Sequence, residues 1–187
     1  VVLVDVWREH VDAINRDGLR FEDHAGEHTV RLKAALAADL PVDVHPDLLI
    51  VFTKTLHSAA ALESVRRCIG RDTWLLTLQN GLGNVDVAAG FVPRAHLMHG
   101  VTNYPSDLRG PGSVASHGDG YVRIDGVDGS DGAGQRAIAT LLRDAGFDCV
   151  LDTSVERAIW EKVAFNAALN SLAAVTRLPV GGVGGTE

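Results

Sequence analysis

Short, unbroken apolar runs alternate with helix-length segments along most of this chain. "VVLVD" (1–5), "DLLIVFTK" (47–54), "TWLLTLQN" (73–80) and "HLMHGVT" (96–102) are apolar at consecutive positions, so a strand drawn through any of them is greasy on both faces. Between the first two lies "EHVDAINRD", which stops at Gly18. "AAALESVRRCI", after the second, stops at Gly70, and both segments have the length and the ending of a helix. A polar, hairpin-like stretch follows Gly18. This rhythm predicts an α/β fold with a Rossmann-like, mostly parallel sheet and helices on both faces.

Residues 113–126, "SVASHGDGYVRIDG", depart from the rhythm. Their alternation around Gly118-Asp119-Gly120 predicts an antiparallel hairpin. A helix through "GQRAIATLLRDAG" and a strand "FDCVLD" (147–152) close the α/β part, which spans residues 1–152.

From Thr153 the character changes. Thr153 and Glu156 match the T-x-x-E capping box, and a helix is expected from there to Pro179. Arg157 and Glu161 pair at i,i+4 beside Ala164 and Ala168 on its wet side. The other faces carry Val155, Ile159, Trp160, Val163, Phe165, Leu169 and Leu172. Among these, Lys162, Asn166 and Asn170 recur every four residues.

Composition narrows the function classes. The 187 residues are 46% hydrophobic, enough for one good core. The formal charge of −7 and the lack of any basic run longer than two residues argue against nucleic acid and anionic membranes as partners. No apolar run approaches the ~20 residues of a membrane span. Cys68 and Cys149 are isolated and lack CxxC spacing, which fits small buried hydrophobes in a reducing cytoplasm. His24 and His28 have i,i+4 spacing but no third ligand in register, and His96 and His99 fall in an apolar strand, so no metal is expected. The "GGVGG" tail follows a helix rather than a strand and fails as a phosphate loop.

Candidate chemistry gathers at strand ends. In an open α/β sheet, ligands bind beyond the carboxyl ends of the strands. There "LQNGLGN" (78–84) offers Asn80 with Gly81 and Gly83, either as a close-approach loop with an amide for a ligand or as an ordinary Asn-Gly turn. Asn84 is placed to cap the next helix. Lys54 ends its strand either against an anion or in solvent. Asp5 ends the first strand, where an acidic residue about 20 positions after a glycine fingerprint binds the adenosine ribose. That fingerprint would precede Val1, so the chain reads as a fragment. Asp5 favours NAD, whereas Arg8 suits a 2′-phosphate and favours NADP. The Lys162–Asn166–Asn170 row supplies a charged donor and two amides, suited to a carbonyl being reduced by hydride. The bland alternative is a buried structural network.

Together, "VFTKT", "LQNGLGN" and "IWEKVAFNAALNSLAAVT" resemble the ketopantoate reductase (2-dehydropantoate 2-reductase) family across essentially the whole chain. The resemblance implies NADPH-dependent reduction of the 2-oxo group of ketopantoate to pantoate, with NAD as the alternative cofactor. It implies that residues 1–152 form a Rossmann-type NAD(P)-binding domain and that residues 153–187 begin an all-helical C-terminal substrate domain. It also implies Lys162 as general acid and Asn166 and Asn170 as substrate holders, with Asn80 and Lys54 lining the cleft beside the cofactor. A small 2-oxo acid is then the expected partner, and a homodimer is left open. Two alternatives stand beside it: a related reductase of another 2-oxo acid, and a non-catalytic dinucleotide-binding module.

Overall fold

Three of the four apolar runs pair side by side in the parallel sense expected of them. The computed structural model describes residues 1–116, 118–129 and 132–183. The chain begins with β1 (Val2–Val4), α1 (Arg8–Asp17), β2 (Leu19–Asp23), β3 (Gly26–Val30) and β4 (Lys33–Ala35). Next come β5 (Leu48–Val51), α2 (Ser58–Ser64), β6 (Trp74–Thr77), α3 (Asn84–Ala88) and β7 (Leu97–Thr102). The remainder is β8 (Asp107–Gly110), β9 (Ser113–Ala115), β10 (Val122–Gly126), α4 (Ala133–Asp144), β11 (Cys149–Leu151), α5 (Val155–Thr176) and α6 (Val180–Val183).

The central sheet has the order β5-β6-β7-β10-β11. β5, β6 and β7 are parallel, β10 turns antiparallel to β7, and β11 runs parallel to β10. Successive strand residues point to opposite faces, and here both faces are covered. Leu76, Leu78, Met98 and Ile124 pack under Ile138, Ala139 and Leu142 of α4. Leu75, Leu97 and Val51 pack with Leu62 of α2, Ala88 of α3 and Val92. Leu75, Leu76, Leu97 and Met98 have no exposed surface at all, and burying each contributes about 1.5–3 kcal/mol. That is why these runs are apolar at every position rather than at alternate ones. The result is the Rossmann-like sheet with helices on both faces.

β1 and β4 form a separate parallel pair. Val11 and Ile14 of α1 pack against it at Ala34 of β4. The Asn15 side chain completes it, donating to the Ala34 carbonyl at 2.8 Å and accepting the Ala34 N–H at 3.0 Å. The polar stretch after Gly18 is the β2–β3 hairpin.

Several local expectations are corrected. Residues 113–126 make no hairpin: β9 pairs parallel with β2 and antiparallel with β8, whereas β10 joins the central sheet. Alternation shows that a segment is extended but not which strand it meets, and each of these finds a remote partner. His117 of that stretch, like residues 184 and 185 of the "GGVGG" tail, lies outside the described residues. The capping box is also absent. Ser154 is the N-cap residue, and it makes no side-chain cap. Instead Asp152 Oδ1 accepts the Ser154 N–H at 2.8 Å and its hydroxyl at 2.6 Å, and Oδ2 accepts from Arg123 at 3.4 Å. The helix ends at Thr176 with Arg177 left-handed (φ 57°), just short of Pro179. Its wet side is as expected, with Arg157 donating to Glu161 at 2.8 Å. Trp160, Phe165 and Leu172 are exposed.

Two substitutions test this frame. A Cβ on Gly100 would sit 2.7 Å from Ile124 Cγ2 and 2.8 Å from Leu78 Cδ2, and closer still to the Arg123 carbonyl oxygen. Gly100→Ala is therefore expected to destabilise by about 1–3 kcal/mol in urea unfolding, and an unchanged midpoint would contradict this packing. Asp152→Ala removes the anchor at the start of α5. It should cost about 1 kcal/mol and speed amide hydrogen exchange in the first turn of α5 while leaving its middle protected.

Candidate active site

The ladder between β5 and β6 ends at the pair Val51–Thr77. Beyond it, two loops leave the sheet side by side. One is Phe52–Thr55, which carries Lys54 as an exposed residue just before a single 3₁₀ turn. The other runs through Leu78–Gly83 and carries Asn80. Lys54 and Asn80 thus sit three residues past their strands rather than on the last strand position.

The second loop owes its course to glycine. Gly81 and Gly83 have φ of 93° and 83°, a region costly for residues with a Cβ, and a Cβ at either would meet nothing within 4 Å. They serve the turn, and the space over them is open. Asn84 does not cap α3, whose N-cap is Gly83. Its Nδ2 instead reaches back to the carbonyls of Asn80 and Gly81, both at 3.4 Å, while its buried Oδ1 has no partner among the described residues. The Asn80 carbonyl also accepts from Thr55 Oγ1 at 3.2 Å. With its backbone held twice, the exposed Asn80 side chain makes no hydrogen bond among the described residues.

α5 packs against β7 and β10 and brings Lys162 to this edge. The Lys162 amine donates to the carbonyl of Thr102, the last residue of β7. Burial pushes its pKa below the ordinary lysine range, because a charged ammonium loses hydration there. A small pocket joins Lys162, Ile159 and Val163 of α5 to Gln79, Asn80 and Gly81 and to Gly100 of β7. Lys162 and Asn80, named from sequence alone, therefore line one pocket.

The other candidates are spread more widely. Asn166 is half-buried and Asn170 exposed, one and two turns beyond Lys162, and neither makes a side-chain hydrogen bond among the described residues. The row is not a self-satisfied polar network. Asp5 follows β1 directly and accepts the Trp7 N–H at 2.8 Å. Arg8 opens α1 and lies 3.9 Å from Asp39, with both side chains more than half exposed. These two lie outside the Lys162 pocket. Sequence reasoning missed the Thr102 carbonyl, which no side-chain pattern can reveal, and it passed over Gln79 beside Asn80.

A larger cleft of about 510 Å³ opens next to the pocket, between α3, the exit of β10 and the first turns of α5. His99 lines it, its pKa lowered by burial, with Glu156 and Asp125 acting in the opposite sense. The His96 ring stacks on Trp74 at 5.0 Å. Among the described residues no three His, Cys, Asp or Glu side chains converge to hold a metal, and no helix is long and apolar enough to cross a membrane. Cys68 and Cys149 are free and buried.

Comparison with known proteins places this geometry. The 2-dehydropantoate 2-reductase of Streptococcus pyogenes serotype M3 is 32% identical over 181 residues, covering 97% of this chain and 58% of that protein. Its counterpart from Halobacterium salinarum is 32% identical over 176 residues, covering 94% of this chain and 57% of that one. The chain thus spans less than two thirds of the length of these relatives. Among solved structures, the ternary complex of D-mandelate dehydrogenase with NADH and anilino(oxo)acetate superposes with a TM-score of 0.91 at 29% identity, covering 100% of this chain and 60% of that one. The 2-dehydropantoate 2-reductase of Geobacter metallireducens gives a TM-score of 0.87 at 28% identity, covering 98% and 61%. The family model described as "Ketopantoate reductase PanE/ApbA" matches residues 1–129, and this chain belongs to that family.

Proposed function

We propose that the protein containing this chain reduces the 2-oxo group of 2-dehydropantoate to pantoate with NADPH, and that Lys162 is its proton donor. The observation that carries the reading is the half-buried Lys162 amine, held at the exit of β7 beside the Asn80 loop. The open space above Gly81 and Gly83 and the uncommitted Asn80 amide fit a nicotinamide cofactor lying across the strand ends. When bound, that cofactor supplies the hydride.

The chain's own residues do the rest. Hydride arriving at a carbonyl carbon builds negative charge on the oxygen, which must be met by a proton. An ammonium has three N–H donors. In Lys162 one is committed to Thr102, which orients the amine and leaves two for substrate. Its lowered pKa eases the transfer. Asn166 and Asn170, one and two turns along α5 from Lys162, orient the substrate together with Asn80. Lys54 offers a point charge to the cofactor. Asp5 and Arg8 serve the adenosine ribose, and the loose 3.9 Å pairing of Arg8 leaves its guanidinium available for a 2′-phosphate. Residues 153–187 form the start of a helical substrate domain in this reading, supported by the exposed Trp160, Phe165 and Leu172 of α5.

A second reading, an NADH-dependent reductase of another 2-oxo acid, is favoured by the likeness to D-mandelate dehydrogenase with NADH and by Asp5. Fluorescence titration of the full-length protein with NADPH and NADH separates the two. Tighter NADPH binding with turnover of 2-dehydropantoate is expected, and tighter NADH binding with turnover of a different oxo acid would select the second.

Lys162→Ala should lower kcat about 10²–10⁴-fold with little change in cofactor affinity. Near-normal kcat would show that Lys162 is not the proton donor and return its row to a structural role. In the reduction direction the donor must be protonated, so kcat should fall as pH rises through the lowered Lys162 pKa. Stability moves the opposite way. Between that pKa and the unfolded value of 10.5 the unfolded chain holds more protons, so folding is increasingly favoured as pH rises. Lys162→Met should flatten that rise in urea titrations, and an unaltered pH slope would show that the shift belongs to another group.

A further inference from the structure

We propose that Gln79 is a positioning residue that clamps the Lys54 loop and the Asn80 loop into one rigid platform for the nicotinamide half of the cofactor. This rests on the cofactor reading above and assigns that site a part not so far described. A neutral amide side chain has two N–H donors and one carbonyl acceptor. In Gln79 every one is used, and the partners come from three different elements. Nε2 donates to the Thr53 carbonyl, with Thr53 Oγ1 at 3.4 Å, and to Ser58 Oγ at 2.7 Å. Oε1 accepts from Thr77 Oγ1 at 3.1 Å. Thr77 is the last residue of β6, Thr53 lies in the exit loop of β5, and Ser58 is the buried first residue of α2.

These bonds begin where the sheet stops. The β5–β6 ladder closes at Val51–Thr77, and the two backbones then diverge. Gln79 carries the coupling two residues further. Thr55 Oγ1 returns a bond in the opposite direction, to the Asn80 carbonyl at 3.2 Å. Lys54 therefore sits between two residues, Thr53 and Thr55, each tied to the Asn80 loop. Asn80 in turn follows the clamp residue directly. The sheet does not need this stitch to form, because its register is already set by the ladder and by Leu75 and Leu76. What the stitch sets is the relative placement of Lys54 and Asn80. A side chain spent wholly on its own loops cannot bind a ligand itself, so its effect on ligands passes through those two residues.

The test uses the full-length protein and three probes: NADPH, NADH and adenosine monophosphate, which reports only on the adenosine end near Asp5 and Arg8. Gln79→Leu removes all the bonds. Gln79→Glu keeps the shape but replaces the donating N–H₂ with an oxygen that faces the Thr53 carbonyl. Both should weaken the preferred intact cofactor about 10-fold and lower kcat, as expected when the loops lose these hydrogen bonds, while adenosine monophosphate binding stays within about twofold. Adding Ser58→Ala to Gln79→Leu should cost little more than Gln79→Leu alone, because the two share one interaction. Intact cofactor bound as tightly as by wild type would overturn the proposal. So would equal weakening of intact cofactor and adenosine monophosphate, which would make Gln79 a general packing residue. If Gln79→Leu does not fold, the same comparison on Gln79→Glu decides. Wild-type protein that binds neither NADPH nor NADH would overturn the cofactor reading and this inference with it.

Discussion

A half-buried ammonium needs an acceptor, and in this protein the acceptor is the carbonyl of Thr102 at the exit of β7. That contact ties α5 to the sheet at a polar point within an otherwise apolar seam of Ile159 and Val163 against Gly100 and Val101. An apolar side chain at 162 would fill the space, but it would leave the strand-end carbonyl facing it without this donor. The lysine meets that carbonyl at the cost of its own hydration, which is why its pKa falls. The hydrogen bond holds α5 to the end of β7, and the burial that comes with it lowers the pKa of the amine.

The pairing of β7 with β10 depends on what β7 lacks. Gly100 leaves no Cβ to collide with Ile124, Leu78 and the Arg123 backbone, so β7 and β10 stay close beneath the helix. At the start of α5, Asp152 holds Ser154 and pairs with Arg123 of β10, fixing the entry of the helix to the strand it lies over. Helix entry, strand spacing and lysine placement are three parts of one arrangement.

The two loops beyond β5 and β6 show how a sheet passes its order to a site past its own edge. Backbone pairing stops at Val51–Thr77, and side chains take over: Gln79 toward Thr53 and Ser58, Thr55 toward Asn80, and Asn84 toward the Asn80 and Gly81 carbonyls. Almost all of these groups are polar residues in loops that composition alone would call solvated. Their bonds run within the protein, whereas the Asn80 side-chain amide makes none among the described residues.

Much of this was legible before any coordinates. Unbroken apolar runs fit strands covered on both faces, so "LLIV", "WLLT" and "HLMHGVT" read as strands of an α/β sheet with helices on either side. Spacing on α5 was enough to set Lys162 apart from the wet Arg157–Glu161 side, and the glycines of "LQNGLGN" marked a loop needing left-handed backbone. Local pattern does not, however, name partners at a distance. It paired β9 with β10 as a hairpin although each bonds a strand from elsewhere in the chain, and it placed a capping box where Asp152 holds the helix entry instead. It could not show that Lys162 meets a backbone carbonyl sixty residues upstream or that Gln79 bridges two loops. Nor could it show that Asn166 and Asn170 lack partners within the described structure. Burial on one face or both is a property of each segment's own composition. Which donor meets which acceptor depends on how the sheet brings distant strand ends together, and only the folded chain decides that.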